Sequence, residues 1–122
     1  MAGNDTRAQR STCPIATGLD RFGDRWTLLI VRDLINGKSR YGEFERAGEG
    51  VPTNILAARL KQMHADGLIE KTPYQDKPVR YAYRLTEKGR ALIPLLQDIC
   101  RWSAAHEPDT VPPSGVFMML EP

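Results

Sequence analysis

The segment from Val51 to Thr86 constrains this chain more than any other. Pro52 stands where it opens a helix, because its fixed φ suits a first turn and its missing N–H is not needed there. The run PTNILAARLKQMHAD follows with helical spacing, and Gly67 closes it. Leu68 to Tyr74 then reads as a strand. Val79 to Leu85 alternates Val79, Tyr81, Tyr83 and Leu85 against Arg80, Ala82 and Arg84, the period of a half-buried strand. Gln75-Asp76-Lys77-Pro78 makes the turn between them. A helix feeding directly into a hairpin with a polar, basic tip leaves few architectures open.

The rest of the chain fits around that unit. Met1 to Thr12 is polar and expected to be a disordered arm. Pro14 falls in the first turn of a helix from Ile15 to Phe22, which Gly23 ends. Asp24 can cap the next helix, running to about Asn36. Its apolar residues, from Trp26 to Ile35, cover most of the circumference and mark it as the central buried helix. Tyr41 to Ala47 makes a short third helix with Phe44 inward. After the hairpin, Thr86 can cap a long last helix, Glu87 to about Ala105, which Pro94 is expected to bend. The tail 107–122 ends in Val116-Phe117-Met118-Met119-Leu120, too apolar to stay in water, and is expected to pack on its own or a partner subunit.

These elements give one domain, 13–106, between an arm, 1–12, and the tail. The fold class is mainly α with a small antiparallel β-hairpin: a winged helix-turn-helix with extra N- and C-terminal dimerisation helices. A chain of 122 residues is the right size for one such domain.

The net charge of +2 says little, but its distribution says more. From Pro52 to Arg90 there are eight Lys/Arg and four Asp/Glu, a local net of +4; from Ala91 onward there is one Arg against four acids, a net of −3. A local basic surface is what phosphate binding needs, although a solvated face reads the same way. Cys13 and Cys100 make no disulfide framework, and no apolar run is long enough to span a bilayer. The protein is expected to be cytoplasmic, with no membrane partner and both thiols reduced.

The helix opened by Pro52 sorts its residues sharply. Leu56, Leu60 and Met63 share one face, with Ile55 at its flank. The opposite face carries Asn54, Ala57, Ala58, Lys61 and Ala65, with Thr53 beside them. A helix entering the major groove needs such small, polar residues, since Ala can touch a thymine methyl and Asn can pair with adenine. Arg59 lies at the edge, reaching either phosphate or an acid within the protein. Lys77, Arg80 and Arg84 on the hairpin, with Ser39 and Arg40 before the third helix, offer phosphate contacts. Lysine and proline also protect edge strands, the plainer explanation of the same residues.

Catalysis finds no support. There is no phosphate-cradling glycine loop, no cofactor motif and no His/Cys cluster with zinc spacing; His64 and Asp66 form a helix-end pair.

Taken together, the motifs resemble the HxlR-type family, relatives of the MarR-like winged-helix regulators. The matching pieces are Cys13-Pro14, then Gly23-Asp24-Arg25-Trp26-Thr27-Leu28-Leu29-Ile30, Arg40-Tyr41-Gly42-Glu43-Phe44, and PTNILAARLKQMHADGLIEKTPY. Lys77 to Gly89 and Pro94 to Trp102 complete the set. Many family members carry Lys where Asp24 stands, and the apolar tail lies outside the family core. The resemblance implies a homodimer on a pseudo-palindromic operator in double-stranded DNA. Its dimer surface would come from Ile15 and Leu19 with Leu92, Leu96, Ile99 and Trp102. Some relatives sense oxidants or electrophiles through the early cysteine, a position Cys13 matches. The helix N-terminus, Arg10 and Arg25 would favour its thiolate. A small apolar effector near Trp26 and Trp102 is an equal alternative. The rival from another class is a winged-helix module for protein contacts, or a non-specific architectural DNA binder.

Overall fold

The computed structural model describes residues 11–122, so the expected arm, with Arg7 and Arg10, falls almost wholly outside the described residues. Helix α1 (Pro14–Phe22) starts with Pro14 in its first turn and ends as Gly23 N–H donates to the Leu19 carbonyl at 2.8 Å. None of its residues is buried.

Helix α2 (Thr27–Ile35) begins where Asp24 folds its carboxylate over the first turn. Oδ1 accepts the N–H groups of Trp26 and Thr27 at 2.8 and 2.9 Å, and Oδ2 accepts the Thr27 hydroxyl. These bonds satisfy N–H groups that a helix start leaves orphaned. Thr27, Ile30 and Val31 are buried, which seats α2 in the middle of the molecule.

Helix α3 (Tyr41–Glu45) is shorter than its sequence predicts, and its start is fixed by Glu43, whose carboxylate accepts the N–H groups of Ser39 and Arg40. Helix α4 (Thr53–Ala65) turns Leu56, Leu60 and Met63 inward as its spacing requires. Gly67, at φ +77°, ends it and lets Leu68 N–H donate to the Met63 carbonyl at 2.9 Å. Only glycine adopts that backbone readily.

Strands β1 (Ile69–Asp76) and β2 (Val79–Leu85) pair antiparallel, from Ile69 opposite Leu85 at the base to Asp76 opposite Val79 at the tip. The register shifts between Pro73 and Gln75, so Tyr74 bulges from the ladder. The bulge lets Gln75 and Asp76 rejoin the pairing, and the turn shrinks from the expected 75–78 to Lys77-Pro78. The predicted alternation holds at the base, where Tyr83 and Leu85 are half-buried. It fails at the tip, where Val79 is 53% exposed because no core lies beneath it.

The long last helix is two helices. Thr86 accepts Gly89 N–H and donates to the Gly67 carbonyl, starting the single turn α5 (Glu87–Arg90). Ala91 and Leu92 interrupt, and α6 (Ile93–His106) carries Pro94 in its own first turn. Proline cannot donate to the carbonyl four residues back and crowds it, so the helix breaks ahead of Pro94 instead of bending around it. The tail returns as α7 (Gly115–Met119), which buries Phe117. Gln97, itself buried, donates from Nε2 to the carbonyls of Phe117 and Leu120 at 3.1 and 2.9 Å.

The core gathers Ile30 and Val31, Phe44, Leu56, Leu60 and Met63, Leu68 and Ile69, Leu96 and Phe117. Each such side chain contributes roughly 1.5–3 kcal/mol on burial. Helices α2, α3, α4, α6 and α7 and the base of the hairpin all contribute to this cluster or pack on it, so α4 is presented on a fixed base.

Candidate nucleic-acid interface

With its apolar face turned inward, α4 leaves Thr53, Asn54, Ala57, Ala58 and Lys61 exposed together. Helix α3 braces its start. Tyr41 Oη donates to the Thr53 carbonyl at 2.7 Å, and Thr53 Oγ1 donates to Glu45 Oε2 at 2.9 Å. The hydroxyl of Thr53 is therefore already engaged, while Asn54, Ala57, Ala58 and Lys61 project without such a tie. Partial burial and the nearby Glu45 charge both push the Tyr41 phenol above its ordinary pKa, so it stays a donor.

Arg59 takes the inner of its two alternatives. It is half-buried, and its Nη1 lies 3.4 Å from Asp24 Oδ2. Burial pushes the Asp24 carboxyl up. The Thr27 hydroxyl, the Trp26 and Thr27 amides and the Arg59 charge outweigh it, holding the group below the ordinary aspartate value.

The hairpin is stitched to the helices beside it. Tyr83 N–H donates to the Ser39 carbonyl at 2.7 Å, and Arg40 pairs as an isolated bridge with Ala82. Ser39 thus serves through its backbone. The Arg40 guanidinium lies 4.0 Å from the centroid of the Tyr74 ring, a cation–π stack that joins α3 to the bulge. Tyr74 is invisible as a site residue from sequence, because a bulge is a property of two strands in register. Lys71 is equally hidden there: it stacks over Tyr81 at 4.5 Å and shares with Lys61 a hollow between α4 and the sheet. At the tip, Lys77 and Arg80 are exposed and have no acid partner among the described residues. Arg84 pairs with Glu70 across the strands at 3.1 Å, in the open.

The expected dimer residues divide into two groups. Ile15, Leu19, Ile99 and Trp102 are 74%, 52%, 42% and 60% exposed. Leu96 is 8% exposed and belongs to the chain's own core, and Leu92 is partly buried against it. Cys13 is exposed at the start of α1 and Cys100 half-buried on α6. Arg25 lies over the Trp26 ring at 5.2 Å. Trp102 packs against His106 at 5.2 Å. Among the described residues, no group of three or more His, Cys, Asp or Glu side chains is placed to hold a metal, and no helix is long and apolar enough to cross a membrane.

A helix pair ending in an exposed small-residue helix, followed by a basic two-stranded wing, defines a winged helix-turn-helix DNA-binding protein. The profile of the HxlR-like helix-turn-helix family matches residues 21–110, and the chain belongs to that family. It is 36% identical over 96 residues to YvaP, an uncharacterised HTH-type transcriptional regulator of Bacillus subtilis (strain 168), covering 78% of this chain and 89% of that one. The crystal structure of PA1607 superposes with a TM-score of 0.74 at 42% identity, covering 84% of this chain and 72% of that one. The redox regulator HypR, solved reduced and oxidised, is also similar: the reduced form has a TM-score of 0.69 at 30% identity over 76% of this chain and 92% of its own. The chain is a transcriptional regulator of the HxlR and MarR-like type.

Proposed function

We propose that this chain works as a homodimer that binds a pseudo-palindromic operator in double-stranded DNA, in the cytoplasm, without catalysis of its own. Asn54, Ala57, Ala58 and Lys61 lie in the major groove. Thr53 sets the helix start, and Arg59 holds α4 to the body. Lys77 and Arg80 meet phosphate or the minor groove, with Arg40, Arg84 and the Ser39 segment along the flank. The observation that carries this reading is the exposed face of α4, small and polar, set beside the wing cations Lys77 and Arg80, which have no acid partner among the described residues. Ile15, Leu19, Ile99 and Trp102 form the face that meets a second copy and spaces two α4 helices about 34 Å apart, one turn of duplex. Hydroxyl-radical footprinting on DNA selected from a random library tests it. Two protected half-sites one turn apart support the reading. Uniform weak protection, or binding indifferent to salt, supports the architectural or protein-contact alternatives.

A second reading concerns Cys13. Its thiol is exposed where α1 begins, and HypR is a similar chain described as a redox regulator. Oxidation at Cys13 is proposed to release DNA. If Cys13→Ser leaves oxidant-dependent release unchanged, the thiol is not the sensor.

A further inference from the structure

The chain has four tyrosines, and all of them line one hollow between α3 and the wing. Its volume is about 330 Å³. Tyr41 comes from α3, Tyr74 from the bulge in β1, and Tyr81 and Tyr83 from β2. Glu45 and Arg80 bring charge to the same lining.

Two of these rings already serve as platforms. The Arg40 guanidinium lies 4.0 Å from the Tyr74 centroid, and Lys71 Nζ lies 4.5 Å from that of Tyr81. Tyr83 is anchored edge-on to Phe44 of the core, with 6.3 Å between centroids. Tyr74 is exposed and the other three are half-buried, so the rings are held in place yet open to a ligand. Aromatic faces set among cations are how proteins hold unpaired bases: the base stacks on the ring and its phosphate meets the cation.

The charges narrow the ligand further. Glu45 disfavours a plain organic acid, and Arg40, Lys71 and Arg80 disfavour a plain cation. A flat group with donors on one edge and a phosphate beyond it suits both. Glu45 Oε2 accepts the Thr53 hydroxyl at 2.9 Å, and Oε1 accepts no hydrogen bond among the described residues. A carboxylate can accept two parallel donors. Guanine presents N1–H and its N2 amino group side by side on its pairing edge. Adenine and cytosine present one amino group beside an acceptor nitrogen, which a carboxylate repels.

We propose that this hollow binds an unpaired guanine of a single-stranded nucleic acid, stacked on the tyrosines with its pairing edge at Glu45 and its phosphate at Arg80. Arg40 and Lys71 beside the hollow suit the neighbouring phosphates of a strand, which a free nucleotide lacks. The site does not rest on α4 reading a duplex.

Fluorescence anisotropy on the full chain tests it, with a labelled thymidine oligonucleotide carrying guanine, adenine, inosine or an abasic position at its centre. The guanine strand is expected to bind about 5–150-fold tighter than the adenine strand, the discrimination of a bidentate pair, with inosine between them. Glu45→Gln, a conservative change at an exposed position, should abolish that preference. Tyr81→Ala should weaken binding of the guanine strand about 5–150-fold, the range of base–aromatic stacking, and Tyr81→Phe should keep it. Equal binding of guanine and abasic strands, or a guanine preference that survives Glu45→Gln, overturns the site. Weak competition by GMP supports a strand; competition as strong as that of the guanine strand overturns the strand in favour of a free nucleotide. If the guanine strand binds while the duplex footprint fails, the α4 reading falls alone, and the reverse result strikes only this hollow.

Discussion

Asp24 concentrates several jobs in one carboxylate. It closes the first turn of α2 and holds Arg59 against the body of α4. Its folded pKa lies below its unfolded value, so its stabilisation is present above about pH 4 and is lost as pH falls through the lower folded value. Acid titration of stability should show that loss in the wild type and a shallower one in Asp24→Asn. Asp24→Ala, which removes the cap outright, should cost about 1 kcal/mol in denaturant unfolding. At the wing, Arg40 is aimed by Tyr74. Tyr74→Ala should cut DNA affinity and reduce the slope of log K against log salt by about 0.9 for each phosphate that is no longer neutralised. Tyr74→Phe keeps the ring face and should restore both. Equal losses in the two variants would show that the hydroxyl, not the stack, matters.

Elements were legible wherever the chain punctuates itself. Pro14, Pro52, Gly67 and Thr86 mark starts and stops by backbone chemistry that needs no tertiary context, and those boundaries stand within a residue or two. The small-residue face of α4 was equally plain, because burial of Leu56, Leu60 and Met63 dictates what remains outside. The break at Ala91-Leu92 was not legible, since Pro94 permits a kink or a fresh start and only packing decides. Nor was the inward turn of Arg59, which depends on Asp24 arriving from another part of the chain. Gly89 reveals how tightly α5 is seated: a Cβ there would stand 2.1 Å from the Leu68 carbonyl oxygen and 2.9 Å from Leu85. Gly89→Ala should therefore destabilise the fold by about 1–3 kcal/mol or more, read by thermal or urea unfolding. The tail depends on Gln97 in the same way. Gln97→Ala strips the donor from two carbonyls of the α7 segment and should cost about 1–3 kcal/mol while leaving α4 in place.

At the scale of the whole molecule, two exposed faces differ in character. On one, α4 and the wing bring Lys61, Lys71, Lys77 and Arg80 forward, consistent with the +4 carried between Pro52 and Arg90. On the other, α1 and α6 leave Ile15, Leu19, Ile99 and Trp102 open to water, more apolar exposure than a lone domain of this size needs. Trp102→Glu should yield a folded monomer in sedimentation velocity with far weaker operator binding, because each half-site then binds alone. The decisive quantity is the salt dependence of binding to a selected palindrome, compared between wild type and the Lys77→Ala, Arg80→Ala double variant. A dimer reading DNA with α4 and both wings predicts a steep slope that falls by about 0.9 per phosphate left without its cation, with the preferred sequence unchanged. A slope that is shallow in the wild type, or unmoved by the double variant, would contradict it.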